Sequence, residues 1–468
     1  MSIGIACLIV FLIMAALMYT RRLSALLALP IMALLIALIG QIPGPEIITK
    51  IFSAGAIKLH NAYTTTIFGA MLAELMNKQG IAKALIRWVA EFSGDNPFLL
   101  SVFMTVVTAL LFSTLGGLGA VIMVGTIVLP VMLSLGIPAV TAGGLYLFGI
   151  SLGGMFNLAN WALYVDVLGI KHEQIIAFVL PFAGIMSLAI LSYLAFELAK
   201  LKNLIYLGLI LLVEGLFFWQ YYSQSANTQA GPAATIDPNS WTIAGIVLLG
   251  LSILAVIRHL KKASDVPSLA LVTPLVPLVL VLFCHWDIIP SFLAGLTFGT
   301  LATWQRNSIN TLTRSILDGS SAVLPAVILM MGIGMLLSAV MHPNIADAIK
   351  PLLMSVLGTK AIPYVLGFTL MAPLALYRGP LSLWGMGSGL VKLIQATGAL
   401  SSQAIMSMLM SVGQMQGVCD PTNTQNIWIA TYLGTDTRAL LIKTVPYVWF
   451  TVFTGLCLSV LFGYVPWQ

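Results

Sequence analysis

The sequence predicts an all-α polytopic membrane protein built from two inverted-topology repeats. Three observations predict it. Of 468 residues, 59% are hydrophobic and 8% charged, and the mean hydropathy is +1.02, so one soluble core cannot bury the apolar surface. Apolar runs of about 17 residues or more recur, each able to cross about 30 Å of hydrocarbon as a helix. The second half also echoes the first, about 265 residues later. Asn157-Leu158-Ala159-Asn160-Trp161 precedes Gly169, and Asn423-Thr424-Gln425-Asn426-Ile427-Trp428 precedes Gly434. Ile81-Ala82 answers Ile345-Ala346, and the run from Ile3 has a partner near Ser268.

Spans are expected near 3–19, 23–41, 61–77, 139–170, 174–198, 203–221, 240–257, 267–284, 288–304, 319–341, 400–434 and 442–464. The first lacks the basic start and small-residue cleavage site of a leader, so it reads as a retained helix. Basic residues set the orientation. With both termini outside, Arg21, Arg22, Lys78 to Arg87, Lys200, Lys202, Arg258, Lys261, Lys262, Arg306, Arg314, Arg438 and Lys443 fall inside, as the positive-inside rule requires. The loop 223–240 has no basic residue and suits the outside. A cytoplasmic (inner) membrane location and contact with membrane lipid follow from this reading.

Two segments are too short in each arm to be ordinary pairs of spans. Residues 98–113 and 119–134 flank Thr114-Leu115-Gly116-Gly117-Leu118, and 363–377 and 381–396 flank Arg378-Gly379-Pro380. Both read as re-entrant hairpins, whose non-helical tips need a protein or water-filled surround. The first enters from inside and the second from outside, which inverts the repeats. The expected layout is a first repeat over 1–198 (hairpin 98–134, broken helix 139–170), a linker helix pair over 199–265, and a second repeat over 266–468 (hairpin 363–396, broken helix 400–434). Each repeat then has about five transmembrane helices.

Each broken helix carries glycines and short amides: Gly149 to Asn160 in one half, Gly413 to Asn426 in the other. Pro421 removes an amide donor and disfavours helical geometry at Asp420, so the second should unwind there. Unwound crossings expose carbonyl oxygens that hold Na⁺, and a restarting half-helix aims its positive end at an anion. A kinked helix glued by Asn and Gln is the plainer alternative; recurrence of the pattern favours a binding site. Expected substrate contacts are Ser113, Thr114, Gly116, Gly117, Asn157, Asn160, Arg378, Gly379, Asn423 and Asn426.

Ionisable residues in the bilayer cost on the order of 2.5–3.5 kcal/mol at a helix centre. Arg378, at the second tip, has a planar fork suited to a carboxylate; snorkelling outward is its alternative. Asp420, with Thr422, is the first choice for carrying H⁺ or Na⁺, although Asp before Pro also suits a structural cap. Glu74 and Asp166 are further protonation candidates. A Na⁺ site is expected near Asn157 and Asp420. Cys7, Cys284, Cys419 and Cys457 have no paired spacing and suggest neither disulfide nor zinc site. No cofactor other than a coupling ion is expected, and the net charge of +6 reflects basic loops, not a nucleic-acid partner.

The stretch Ala15 to Leu26 (AALMYTRRLSAL) resembles the opening of citrate–metal/proton symporters. So does Gly125-Thr126-Ile127-Val128-Leu129-Pro130, followed by Leu135-Gly136-Ile137-Pro138 and the glycine-rich helix ending at Asn157. These belong to the ion transporter superfamily, with gluconate, lactate and dicarboxylate permeases. The resemblance implies paired hairpins in inverted repeats, a homodimer, and an elevator-like or rocking motion. At the first tip the citrate symporters carry an Asp-Gly-Asp-Gly-type sequence where this chain has Ser113-Thr114-Leu115-Gly116-Gly117. That departure points to a simpler organic anion than metal–citrate. The expected function is secondary active transport of a small organic anion coupled to H⁺ or Na⁺, without enzymatic activity. A Na⁺/H⁺ antiporter using Asp420 and Glu74 is the alternative. A channel fits inverted repeats within one chain less well, an intramembrane hydrolase would rest on Ser388 alone, and no Walker loop suggests ATP drive.

Overall fold

The computed structural model describes residues 3–19, 22–198, 205–213, 215–216, 238–262, 265–354, 360–378, 381, 391, 394–395 and 398–467. Secondary structure among them is helical. The main elements are α1 (Ile3–Tyr19), α2 (Ala25–Ile39), α3 (His60–Lys78), α4 (Ile81–Ser93), α5 (Pro97–Phe112), α6 (Gly117–Ser134), α7 (Ala139–Met155), α8 (Leu158–Leu168), α9 (His172–Leu198) and α10 (Pro238–Leu260). They continue with α11 (Leu275–Cys284), α12 (Ile288–Ala302), α13 (Ser308–Val340), α14 (Pro343–Met354), α15 (Ala361–Met371), α16 (Ser402–Gln414), α17 (Thr424–Leu433) and α18 (Thr437–Leu461). Five helices among the described residues are long and apolar enough to cross a membrane: α6, α9, α10, α13 and α18; α6, expected as the short second arm of the first hairpin, reaches that length because it starts at Gly117. The bent pair α7 and α8 makes a sixth. The protein is an all-α, multi-pass membrane protein.

Helices recur at a near-constant interval. Ala25 and Ile288, Pro97 and Ala361, Ala139 and Ser402, Leu158 and Thr424, and His172 and Thr437 begin corresponding helices. Their packing is reciprocal. A Cβ on Gly55 would lie 2.8 Å from the Met335 Cα, and one on Gly319 would lie 2.8 Å from the Met71 Cα. Gly55 and Gly319 are as far apart in sequence as Met71 and Met335, so these crossings are two copies of one contact. Only glycine lets the backbones approach so closely. Lys78 meets Asp318, and Lys58 reaches Ser338 at 3.5 Å, so α3 runs antiparallel to α13. The same reversal relates α9 to α18: Phe182 packs on Gly455, whereas Tyr193 packs on Tyr447. Equivalent helices that meet antiparallel are related by a two-fold axis across their length.

α2, α3, α12 and α13 pack together as one layer, and α5, α7, α9, α16 and α18 as another; α4 and α8 lie between them. Asymmetry enters in the first layer. α13 is continuous over 33 residues although it contains Pro325. Its counterpart is divided into a π-helical run over Ile47–Ser53, a short turn, and α3. The loop expected outside lies beyond the described residues, apart from 238–240, as does most of the second arm (381–396) of the second expected hairpin. Of the latter, the 3₁₀ turn Ala372–Arg378 follows α15.

Candidate functional site

The first broken helix stops at Met155 and restarts at Leu158, with a 49° bend. Stopping a helix leaves carbonyls without partners, and each is costly where water is scarce. Two successive side chains of α8 repair this. Asn160 Nδ2 donates to Gly154 O at 2.8 Å, and Trp161 Nε1 donates to Met155 O at 2.7 Å. The second break runs from Asp420 to Asn423, after a π-helical run over Met415–Cys419. There Gln425 Nε2 donates to Gly417 O and Asn426 Nδ2 to Val418 O, each at 2.8 Å. By role, Asn160 therefore matches Gln425, and Trp161 matches Asn426. The Asn160–Asn426 correspondence suggested by sequence shifts by one residue because the second break is longer.

Asn157 joins the first break to the first tip. Its Nδ2 donates to Phe112 O at 3.0 Å and Leu115 O at 2.9 Å, while its Oδ1 accepts the Ala159 amide at 3.0 Å as an N-cap. The tip is the turn 113–116 between α5 and α6, and Gly117 takes a left-handed φ of 81°. It sits against the middle of α3, where a Cβ on Gly69 would lie 3.3 Å from Thr114 O.

Two adjoining cavities, of about 380 and 340 Å³, share Ile150, Gly154, Asn160, Ala326 and Gln425 in their walls. The larger is bounded by both broken helices and includes Ser151, Gln414, Gln416 and Asn423. The smaller lies beneath the tip, among Thr66, Thr114, Gly116, Gly117, Asn157 and Phe292. Ser151 Oγ donates to Gln414 Oε1 at 2.6 Å. These residues occupy corresponding places in α7 and α16, so the two-fold axis passes through their contact, at the cavity wall. Neither lining includes an acidic or basic side chain among the described residues. Three helix N-termini open there instead, those of α6, α8 and α17. Neither Gly116 nor Asn423 caps its helix through its side chain, so the first amides of α6 and α17 carry the partial positive charge of helix ends.

The expected site residues separate into groups. Thr114, Gly116, Gly117, Asn157, Asn160 and Asn423 border the cavities. Ser113 does not: it is buried, with Oγ turned back to Leu110 O at 2.7 Å. Asn426 is buried away from the linings, its Oδ1 without a partner. Arg378 ends the 3₁₀ turn; its side chain and Gly379 lie outside the described residues, as does Ser388. Asp420 is fully buried beside the second break. Its Oδ1 accepts the Thr422 amide at 2.9 Å and hydroxyl at 2.7 Å, but its Oδ2 has no partner. Glu74 pairs with Lys78 at 3.6 Å, which also meets Asp318. Asp166 binds the start of α3. Neither Glu74 nor Asp166 borders a cavity, because each is committed to a partner elsewhere. Sequence reasoning did not select Ser151, Gln414, Gln416, Gln425, Thr66 or Tyr164 as site residues. The available signal was polar side chains within otherwise apolar helices.

No protein-family model matches the sequence, and no curated protein matches it. Solved structures do. The YdaH transporter of Alcanivorax borkumensis, with a topology described as unusual, aligns over 90% of this chain and 89% of its own, at 13% identity and TM-score 0.50. MtrF of Neisseria gonorrhoeae, described among antimetabolite efflux pumps, aligns over 88% and 83%, at 14% identity and TM-score 0.46. The chain thus has a polytopic helical fold found in a membrane transporter. The YdaH structure is not that of a citrate or gluconate permease, so the narrower resemblance rests on its short motifs alone.

Proposed function

We propose that the protein is a secondary active transporter for a small organic anion, and that the paired cavities hold the substrate. The observation that carries this reading is the convergence of three helix N-termini on cavities bordered by uncharged hydroxyls and amides. Such a site attracts a carboxylate by partial charge and releases it more readily than a ring of full charges would. In this reading Thr114, Gly116, Gly117, Asn157, Asn160 and Asn423 contact the anion, joined by Ser151, Gln414 and Gln425. Arg378 and Gly379 of the second tip complete its surround. Asp420 is the coupling position, with Thr422 as its support. Its unpartnered Oδ2 and the unpartnered Oδ1 of Asn426 are buried oxygens that a proton or Na⁺ would satisfy. The layout of two inverted repeats and a linker pair, with both termini outside, belongs to the same proposal, as does a homodimer in the cytoplasmic membrane.

The test is uptake of labelled mono-, di- and tricarboxylates by proteoliposomes, with pH and Na⁺ gradients imposed in turn. Concentrative uptake of a carboxylate is expected, lost in Arg378→Gln and uncoupled from the gradient in Asp420→Asn. Normal concentrative uptake by Asp420→Asn removes the coupling assignment. Unchanged apparent affinity in Arg378→Gln removes Arg378 from the site. Na⁺-dependent proton movement without any organic solute would support the antiporter reading instead.

A further inference from the structure

α3 begins without a cap of its own. Leu59 holds the N-cap position, and its side chain accepts no hydrogen bond, so the first amides of the helix need an acceptor from elsewhere. Asp166, near the far end of α8, provides one. Its Oδ2 accepts the Ala62 amide at 3.0 Å, and its Oδ1 accepts the Asn61 carboxamide at 2.8 Å. Both carboxylate oxygens are thus committed to the first turn of α3, where negative charge also meets the positive end of the helix dipole. The two partners are over 100 residues apart in sequence, and their contact ties α8, which lies between the layers, to α3 in the first.

The second half lacks the helix start that this contact serves, because α13 runs unbroken through the corresponding position. The contact is therefore a feature of the first half and does not follow from the repeat. It also joins two walls of the cavities. α8 carries Asn160 and Tyr164, and α3 carries Thr66, Gly69 and Ala70, all of which border them. On the α3 side, Lys58 reaches Ser338, and the His60 ring bonds Ile57 O at 3.2 Å while remaining close enough to act electrostatically on Asp166. Among the described residues, no basic group forms an ion pair with Asp166. Within the wider packing of α8 on α3, Asp166 adds charge-assisted hydrogen bonds to the first turn, enough to bias a conformational equilibrium while still able to break reversibly.

We infer that Asp166 is a positioning residue that caps α3 in trans and latches the first broken helix to it. The latch holds the conformation described here and releases when the cavities change the side to which they open. The release step rests on the transporter reading; the latch itself does not.

The experiment places a cysteine in the shared cavity wall, Ala326→Cys, and measures its labelling by a membrane-impermeant maleimide from each side of proteoliposomes. The chain with only its native cysteines serves as the blank. Adding Asp166→Ala should change the labelling rate roughly tenfold, the shift expected from losing hydrogen bonds to a charged group. Asp166→Asn, which keeps one acceptor oxygen, should give an intermediate rate. Loss of thermal stability with unchanged labelling would reduce Asp166 to a cap and overturn the latch. If Asp166→Ala does not fold, Asn61→Ala carries the test, since it keeps the carboxylate and its bond to the Ala62 amide and removes only the carboxamide arm. Asn61→Ala should shift Ala326→Cys labelling in the same direction as Asp166→Asn. Wild-type labelling in a folded Asn61→Ala would refute the inference. A labelling shift in a protein that takes up no carboxylate would leave the latch standing and count against the transporter reading.

Discussion

Replacing Asn157 with alanine removes three interactions at once. The carboxamide donates to two carbonyls of the first tip and caps α8. Each donated bond contributes on the order of 0.5–1.5 kcal/mol net, and an N-cap contributes about 1 kcal/mol, so Asn157→Ala should cost about 3 kcal/mol. The two tip bonds, about 2 kcal/mol of this, shift the balance between docked and free tip by roughly thirtyfold at 1.4 kcal/mol per tenfold. Asn157→Asp keeps the capping oxygen but turns a carboxylate oxygen toward the Phe112 and Leu115 carbonyls, so it should be at least as disruptive. Thermal unfolding in detergent and carboxylate uptake in proteoliposomes read the two consequences separately. Both variants should lower the unfolding midpoint and depress uptake. Wild-type stability and uptake in Asn157→Ala would refute the idea that this side chain holds tip and broken helix together.

Gly153→Val should destabilise the protein by on the order of 1–3 kcal/mol through overpacking, since a Cβ there would lie 2.4 Å from Ala109 O; an unchanged melting curve would contradict the tight α5–α7 crossing. Ser151→Ala and Gln414→Leu should be non-additive in uptake, with a coupling of roughly 0.5–3 kcal/mol in a double-mutant cycle. Strict additivity would show that their contact across the two-fold axis has no bearing on transport.

The second broken helix was legible because Pro421 cannot continue a helix and leaves Asp420 in extended geometry, at φ −68° and ψ 111°. The first was less so, since glycines and Asn157 permit a break without requiring one. The repeat was visible in short motifs, but the matching of Gln425 with Asn160 depends on which carbonyls each break frees, which sequence spacing does not specify. Proline misleads in the first layer: α13 keeps Pro325 within a continuous helix, while its proline-free counterpart breaks before His60. Asp166 caps the fresh start in the second case. Asp166 and Glu74 looked alike as acidic residues in apolar surroundings. Their partners, a helix start and a lysine pair, come from tertiary packing.

The central claim is that the cavities between the broken helices and α13 carry the substrate. Its most direct test is Ala326→Trp, which places an indole in the wall that both cavities share. Gradient-driven uptake of the carboxylate that the wild type accumulates should be abolished, while the protein stays monodisperse in detergent. Uptake at the wild-type rate and apparent affinity, with the indole in place, would contradict the account.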